Sequence, residues 1–394
     1  MKKNAALSID SDNLKADQLV EQGLQHHRQG DIEQAAVNYR EAIIINQHHA
    51  DALHLLGMIA FQLQQPDKAV QLIKHAINAN PDTALFHNNL GTIYYEHEEY
   101  ENARACFIEA IKCNADYVEA KFNMANVYRM LGDNGLAEVF YYTTLKQKPD
   151  FTPAAKNLSE LYLKQNKYDD AISVLYASIQ YAANDEDLKK RLSSAYVLRA
   201  LDDSFDTSAE ADVEEALALF PENLDALMLQ AETLMTNEKY EQAEIVYQKI
   251  LSIKPDDPEM LYNQGIALKA INDLGGAQHC FEKAIESKPE FVDAFFNLGN
   301  VYKENGILEL AKKNYSNALK LDPKHFGSLV NLGVVCHNLS EFDEALSVLK
   351  KAEKLEDNNS SLLNNLAMVL QSMSRLEEAE TYYEKSLQAA RGNL

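Results

Sequence analysis

Residues 295–323 read "FFNLGNVYKENGILELAKKNYSNALKLDP". Phe295, Leu298 and Tyr302, then Tyr315 and Ala318, recur at spacings of three and four, the pattern of two amphipathic helices. Gly306 stands where the first helix should stop, and Pro323 follows the second, because proline disfavours helix at the residue before it. Asn297 and Asn300 are odd choices inside the first helix, since asparagine competes for backbone hydrogen bonds.

The stretch is one copy of a pattern. Gly23, Gly57 and Gly91 lie 34 residues apart, and Ala125, Ser159 and Ser193 continue the step. After a slip of four residues it resumes at Ala231, Gly265, Gly299, Gly333 and Ala367, giving eleven small markers. A second small residue follows each marker by 12 positions, as in Ala103, Ala277 and Ala311; the sixth copy uses Ala209, 16 positions on. Pro81, Pro149, Pro255, Pro289 and Pro323 recur 24 residues after the marker, and Pro221 keeps step with the shifted second helix of the sixth copy. Small residues at matched places let two helix backbones approach, while Tyr302 and Tyr315 are expected to fill the seams to the neighbouring copy.

A 34-residue helix–turn–helix with these small, aromatic and proline positions resembles the tetratricopeptide repeat over about residues 16–391. The resemblance implies an all-α, right-handed superhelical solenoid of about eleven repeats. The expected organisation is a polar N-terminal segment (1–15), repeats one to five (16–185), an irregular sixth repeat (186–223), repeats seven to eleven (224–391) and a short tail (392–394).

Two residues before the marker stand Asn89, Asn123, Asn157, Asn263, Asn297, Asn331 and Asn365, in seven of eleven repeats. At about 100° per residue this position points away from the marker, so it shares a polar stripe with Asn126 in the fourth repeat and Asn300 in the ninth. Stacked stripes would form a ladder of carboxamides on the first-helix side, the concave surface of tetratricopeptide arrays. Each amide offers a donor and an acceptor, which suits the backbone of an extended peptide whatever its side chains. The column resembles the repeat domain of the O-linked N-acetylglucosamine transferases, whose asparagine ladder holds substrate polypeptides. The ladder fails at Glu21, Leu55, Arg191 and Leu229, leaving two segments; the C-terminal one adds Tyr262, Phe296, His337 and Gln371 near the same face.

Charge narrows the partners. Lys plus Arg is 37 against Asp plus Glu 60, a net charge of −23, which repels nucleic-acid phosphates and anionic membranes and favours neutral or basic protein partners. There is no apolar run long enough to span a bilayer and no secretory signal, and Cys106, Cys113, Cys280 and Cys336 form no CxxC pair. Free thiols in a cytoplasmic protein are expected. Arg199 to Leu217 of the sixth repeat, "RALDDSFDTSAEADVEEAL", reads as a longer acidic loop, a hinge or a docking site. Tyr382, Tyr383 and Leu387 follow with no further helix, which suggests self-association through the C-terminal helix or a piece of a longer protein.

Other chemistry is sparse. The lysine–asparagine–arginine clamp of chaperone-binding tetratricopeptide proteins is matched by Asn126, Asn157 and Arg191, but Phe122 and Asp187 stand where it needs lysines. Histidines crowd the N-terminal quarter without HExxH or another metal spacing and read as solvated or half-buried helix residues, so neither a metal nor a cofactor is expected. "LGGAQ" at Gly275 and Gly276 reads as an inter-helix turn, and no nucleophile, base and oxyanion hole assemble. The expectation is a non-catalytic scaffold gripping an extended polypeptide. The alternatives are a substrate-recruiting arm of a glycosyltransferase-like system and a self-assembling array.

Overall fold

A computed structural model describes residues 2–202 and 209–392, with side chains from residue 12 to 391. Among the described residues there are twenty-two α-helices and no strand, and no helix is long and apolar enough to cross a membrane. The chain divides into two compact units, Met1–Ala195 and Tyr196–Leu394.

In the first unit the helices are α1 (Lys2–Arg28), α2 (Ile32–Ile45), α3 (Ala50–Gln62), α4 (Pro66–Ala79), α5 (Ala84–Glu96), α6 (Tyr100–Cys113), α7 (Val118–Met130), α8 (Asn134–Gln147), α9 (Thr152–Leu163) and α10 (Tyr168–Ile179). The boundary falls inside α11 (Glu186–Ala200). The second unit holds α12 (Ala209–Leu219), α13 (Leu224–Thr236), α14 (Tyr240–Ile253), α15 (Pro258–Ala270), α16 (Leu274–Ser287), α17 (Val292–Glu304), α18 (Leu308–Leu321), α19 (Phe326–Asn338), α20 (Phe342–Glu353), α21 (Ser360–Ser372) and α22 (Leu376–Gly392). Within each unit successive helices pair as hairpins stacked in chain order, α1 with α2 through α9 with α10 and α13 with α14 through α21 with α22, at a 34-residue step. From Lys2 onward, the segment read as a polar N-terminal extension is continuous with the first repeat helix.

The marker lets a large side chain into its own hairpin. A Cβ on Gly299 would lie 2.6 Å from Cε1 of Tyr315, so glycine there admits the ring into the middle of its own hairpin. Tyr315 is fully buried with its ring against Gly299 of its own hairpin, and its hydroxyl donates to Asn300 Oδ1, which also accepts from Asn331 of the next repeat, so the ring fills the hairpin and its hydroxyl reaches the seam. Tyr302 does reach a neighbour: its hydroxyl donates to Glu282 Oε1 of α16 at 2.8 Å. The marker and the residue 16 positions later thus form a small–large pair, repeated as Gly91 with Phe107 and Gly265 with Phe281.

Among the described residues, ten hairpins turn through one residue with positive φ. Gly306 has φ 73°, its successor Ile307 donates N–H to Tyr302 O at 2.8 Å, and Gly306 N–H reaches Lys303 O at 3.1 Å, a Schellman ending. The same turn recurs at ten places, seven of them not glycine: Gln64, Glu98, Asn166, Glu238, Asn272, Ser340 and Ser374. Gly275 and Gly276 are not the turn expected of them. They open α16, where Asp273 caps the helix by accepting from Gly276 N–H at 2.9 Å; the turn residue is Asn272. The repeating prolines each stand two residues past the end of a second helix, as Pro289 does after Ser287.

First helices of consecutive repeats approach one another, α3 to α5, α5 to α7, α17 to α19 and α19 to α21, and second helices do not do so comparably. Within each unit the first-helix side is therefore the tighter, inner side. The asparagine column lies on it.

Candidate functional site

Positions are counted from the small marker of each first helix, so the asparagine column is position −2. Five of its seven members are tied to the preceding repeat, in two ways. Where position −3 of the preceding repeat carries a polar group, the amide bonds there. Asn89 Nδ2 lies 2.9 Å from His54 Nε2, Asn123 Nδ2 donates to Asn88 Oδ1 at 3.0 Å, and Asn297 Nδ2 donates to the Tyr262 hydroxyl at 3.0 Å. Where position −3 is Phe122 or Phe296, the partner is an asparagine at +1. Asn157 Nδ2 donates to Asn126 Oδ1 at 2.9 Å, and Asn331 Nδ2 donates to Asn300 Oδ1 at 2.8 Å.

The second arrangement has a third member. The Tyr141 hydroxyl donates to Asn126 Oδ1 at 2.5 Å, and the Tyr315 hydroxyl donates to Asn300 Oδ1 at 2.8 Å. The same tyrosine–asparagine–asparagine junction, at the same offsets, thus occurs once in each compact unit. Burial raises both phenol pKa values, which keeps the hydroxyls protonated as donors. Asn300, expected to face a groove, is only 9 % exposed, and its carbonyl oxygen serves two donors inside the protein. Asn126 is likewise partly buried and committed to Tyr141 and Asn157.

Two amides are left over. Asn263 and Asn365 are half-buried and have no side-chain hydrogen-bond partner among the described residues. The repeats before them offer Met228 and Val330 at −3, and Glu232 and Val334 at +1, so neither tie is built. Asn365 instead lines a cavity of about 40 Å³ together with Val334, His337 and Met368, large enough for a water-sized group.

The side chains expected to anchor a ligand near these amides are mostly occupied. Tyr262 packs on Phe291 with ring centroids 4.9 Å apart, and Phe296 packs on His325 at 5.0 Å. His337 Nε2 lies 2.9 Å from Ser372 Oγ, and exposed Gln371 accepts from the Tyr383 hydroxyl at 2.8 Å.

The clamp fragment is neutralised by its neighbours. Arg191 Nε donates to Asp187 Oδ2 at 3.1 Å, and Lys156 Nζ lies 2.9 Å from Asp187 Oδ2. His54 departs from the solvated reading of the histidines: it is buried, stacked on Phe86 at 4.6 Å, and burial lowers its pKa to about 4. It is therefore neutral at pH 7 and accepts from Asn89. Among the described residues the one cluster with metal-ligand geometry is Cys336, Glu341 and Glu344, but Lys312 Nζ sits 2.7 Å from a carboxylate oxygen of each glutamate and supplies the countercharge. All four cysteines are free, and burial pushes the Cys106 thiol up to about 11.

The acidic stretch of the sixth repeat is in part a helix. Asp212 lies in α12, is 3 % exposed, and takes both Arg199 Nη2 at 2.6 Å and Arg199 Nε at 2.9 Å. Residues 203–208 of that stretch lie outside the described residues.

His54, Asn88, Tyr141 and Tyr315 were not singled out as site residues from the sequence. The signal for the last two was present: asparagine at +1 occurs in the fourth and ninth repeats, and both have tyrosine at +16.

Comparison with curated proteins gave no match. Among solved structures the chain resembles a crystal structure of MamA (18 % identity, TM-score 0.40, covering 41 % of this chain and 95 % of that one). It also resembles a MamA from Desulfovibrio magneticus RS-1 (18 %, 0.42, 43 % and 96 %) and the Pseudomonas aeruginosa protein PilF (22 %, 0.44, 56 % and 99 %). Tetratricopeptide repeat profiles match residues 26–91, 207–264, 258–291, 292–325, 326–359 and 360–392, and a TPR repeat profile matches 91–132. With most of its length matched in this way, the chain belongs to the tetratricopeptide repeat family.

Proposed function

We propose that the protein is a non-catalytic scaffold that holds an extended polypeptide along the first-helix face of its second compact unit. Tetratricopeptide repeat proteins are protein-interaction scaffolds, which supports a general role in protein binding. The finer reading divides the asparagine column by hydrogen-bond capacity. Asn297 and Asn331 spend their amides on the preceding repeat and hold the face in register. Asn263 and Asn365 keep a donor and an acceptor for the ligand's backbone.

The observation that carries this reading is the pair of half-buried, unpartnered amides at one offset on one side of the molecule. Half-buried, these amides are hydrated in the free protein, and a ligand backbone offers them a donor and an acceptor in place of water. An acidic chain favours neutral or basic ligands.

Linear peptides selected against the whole chain from a random display library provide the test. Asn263→Ala with Asn365→Ala is expected to weaken the tightest selected peptide at least ten-fold, and N-methylation of that peptide's backbone to do the same. Unchanged affinity in the double variant overturns the reading.

A further inference from the structure

An apolar groove rimmed by exposed tyrosines lies on the second-helix side of the first unit. Among the described residues the exposed aromatic side chains are three tyrosines, Tyr142 (60 %), Tyr176 (58 %) and Tyr181 (64 %). Tyr142 lies on α8, Tyr176 on the next second helix α10, and Tyr181 just beyond the end of α10. Tyr142 and Tyr181 rim a cavity of about 330 Å³ whose wall is otherwise Leu145, Pro149, Val174 and Ala177, with the small hydroxyls of Ser173 and Ser178. The volume is at the lower end of ligand-binding clefts.

The repeat itself shows that these tyrosines are out of pattern. Tyr142 and Tyr176 occupy the position 17 residues after the marker, which the other regular repeats fill mainly with Arg40, Lys74, Gln248, Glu282, Lys350 or Glu384. A position that is mainly polar elsewhere becomes aromatic in two consecutive repeats; of these two tyrosines Tyr142 lines the groove, and Tyr181 lines it from the other side.

Charge limits the occupant. The lining holds one charged residue, Lys146, which is exposed and forms no ion pair among the described residues. In a chain of net charge −23 this is a local positive point on an apolar groove, and it complements an acidic group. Exposed tyrosine rings stack on prolyl rings, and their hydroxyls donate to carbonyls that a polyproline II segment leaves free of internal hydrogen bonds. A helix would need apolar sockets extending over two turns, whereas this groove is one short apolar floor between flanking rings.

We propose that the groove between α8 and α10 binds a proline-rich segment bearing an acidic residue, with Tyr142 and Tyr181 clasping the prolines and Lys146 taking the carboxylate. This surface is separate from the first-helix face, so the scaffold would hold two different partner segments at once.

The probe is a fluorescently labelled peptide of three Pro-Pro-Glu-Pro blocks titrated against the full chain and followed by anisotropy. Saturable binding is expected, weakened at least ten-fold by Tyr142→Ser with Tyr181→Ser and at least five-fold by Lys146→Glu. A peptide with alanine for each proline should lose binding, and Asn263→Ala with Asn365→Ala should leave it unchanged. Circular dichroism of the tyrosine variant checks that the helices persist; the exposed positions make that the expected result. Absence of binding, or binding indifferent to the tyrosine changes, overturns the proposal. So does sedimentation showing that the tyrosines instead mediate concentration-dependent pairing of two copies, or preferential binding of an amphipathic helical peptide.

Discussion

The first and ninth repeats place the same ring in the same socket with different consequences. Tyr39 lies over Gly23 as Tyr315 lies over Gly299, and both tyrosines are fully buried. At the next position the ninth repeat has Asn300, which accepts the Tyr315 hydroxyl and then Asn331 of the following repeat. The first repeat has Leu24 there, and the buried Tyr39 hydroxyl has no hydrogen-bond partner among the described residues. One side chain decides whether a buried hydroxyl is an unpaid cost or the first link of a chain that joins two repeats. A buried polar group pays its desolvation whether or not it finds a partner, and only the partner returns the energy.

Turning the ninth repeat into the first is the harshest test of this comparison. Asn300→Leu strands the Tyr315 hydroxyl and the Asn331 amide together and should cost about 2–3 kcal/mol, read by chemical denaturation. Hydrogen exchange should locate the loosening at α17 to α19. A loss below about 0.5 kcal/mol would mean that the junction is decoration.

His54 receives Asn89 as Asn88 receives Asn123, with an imidazole for the carboxamide, and so adds a pH dependence. Its folded pKa is depressed to about 4 from 6.5, chiefly by burial. Below pH 6.5 the unfolded chain takes up a proton that the folded chain refuses. The stabilisation is therefore complete above about pH 6.5 and is lost as the pH falls toward 4, by about 2 kcal/mol at pH 5. His54→Asn should remove that part of the acid sensitivity; equal loss between pH 7 and 5 in both proteins would contradict it.

Removing only the hydroxyls gives a smaller and opposite pair. Tyr315→Phe should cost about 1 kcal/mol, whereas Tyr39→Phe should leave stability unchanged or raise it by up to about 1 kcal/mol. Equal penalties at the two sites would erase the distinction.

The smallest effect concerns the turns. Ser340→Gly relieves a positive φ of 63° and should stabilise by about 0.5–1 kcal/mol, while Gly306→Ala should destabilise by a similar amount. Thermal melts of both variants check the sign.

The turns also show how much was legible in the sequence. Period, helix faces and unit ends could be read because Gly299, Ala311 and Pro323 recur at fixed offsets and each has one dominant physical cause. The left-handed turn residues are signalled at Gly30, Gly132 and Gly306 and more weakly at Asn166 and Asn272, whereas Gln64 or Ser340 betrays nothing about φ; the paired hydrogen bonds of the helix end hold it there. The asparagine column was visible, but its use was not. Angular position placed Asn297 and Asn300 on one polar stripe, yet a neighbouring repeat covers Asn300 and borrows the amide of Asn297. Whether an amide is free depends on a residue 31 or 35 positions earlier in the chain, as Asn331 with Asn300 and Asn297 with Tyr262 illustrate. Asp212 is a similar case: it sits in an acidic run that reads as solvated, and it is buried against Arg199.

We propose that one column of asparagines does two jobs, set by what the preceding repeat supplies. The most direct test measures stability and affinity for the same selected peptide in four single variants, Asn263→Ala, Asn297→Ala, Asn331→Ala and Asn365→Ala. Asn297→Ala and Asn331→Ala should each lose about 1 kcal/mol of stability, whereas Asn263→Ala and Asn365→Ala should keep their stability and lose affinity. Four variants that behave alike in both measurements would contradict it.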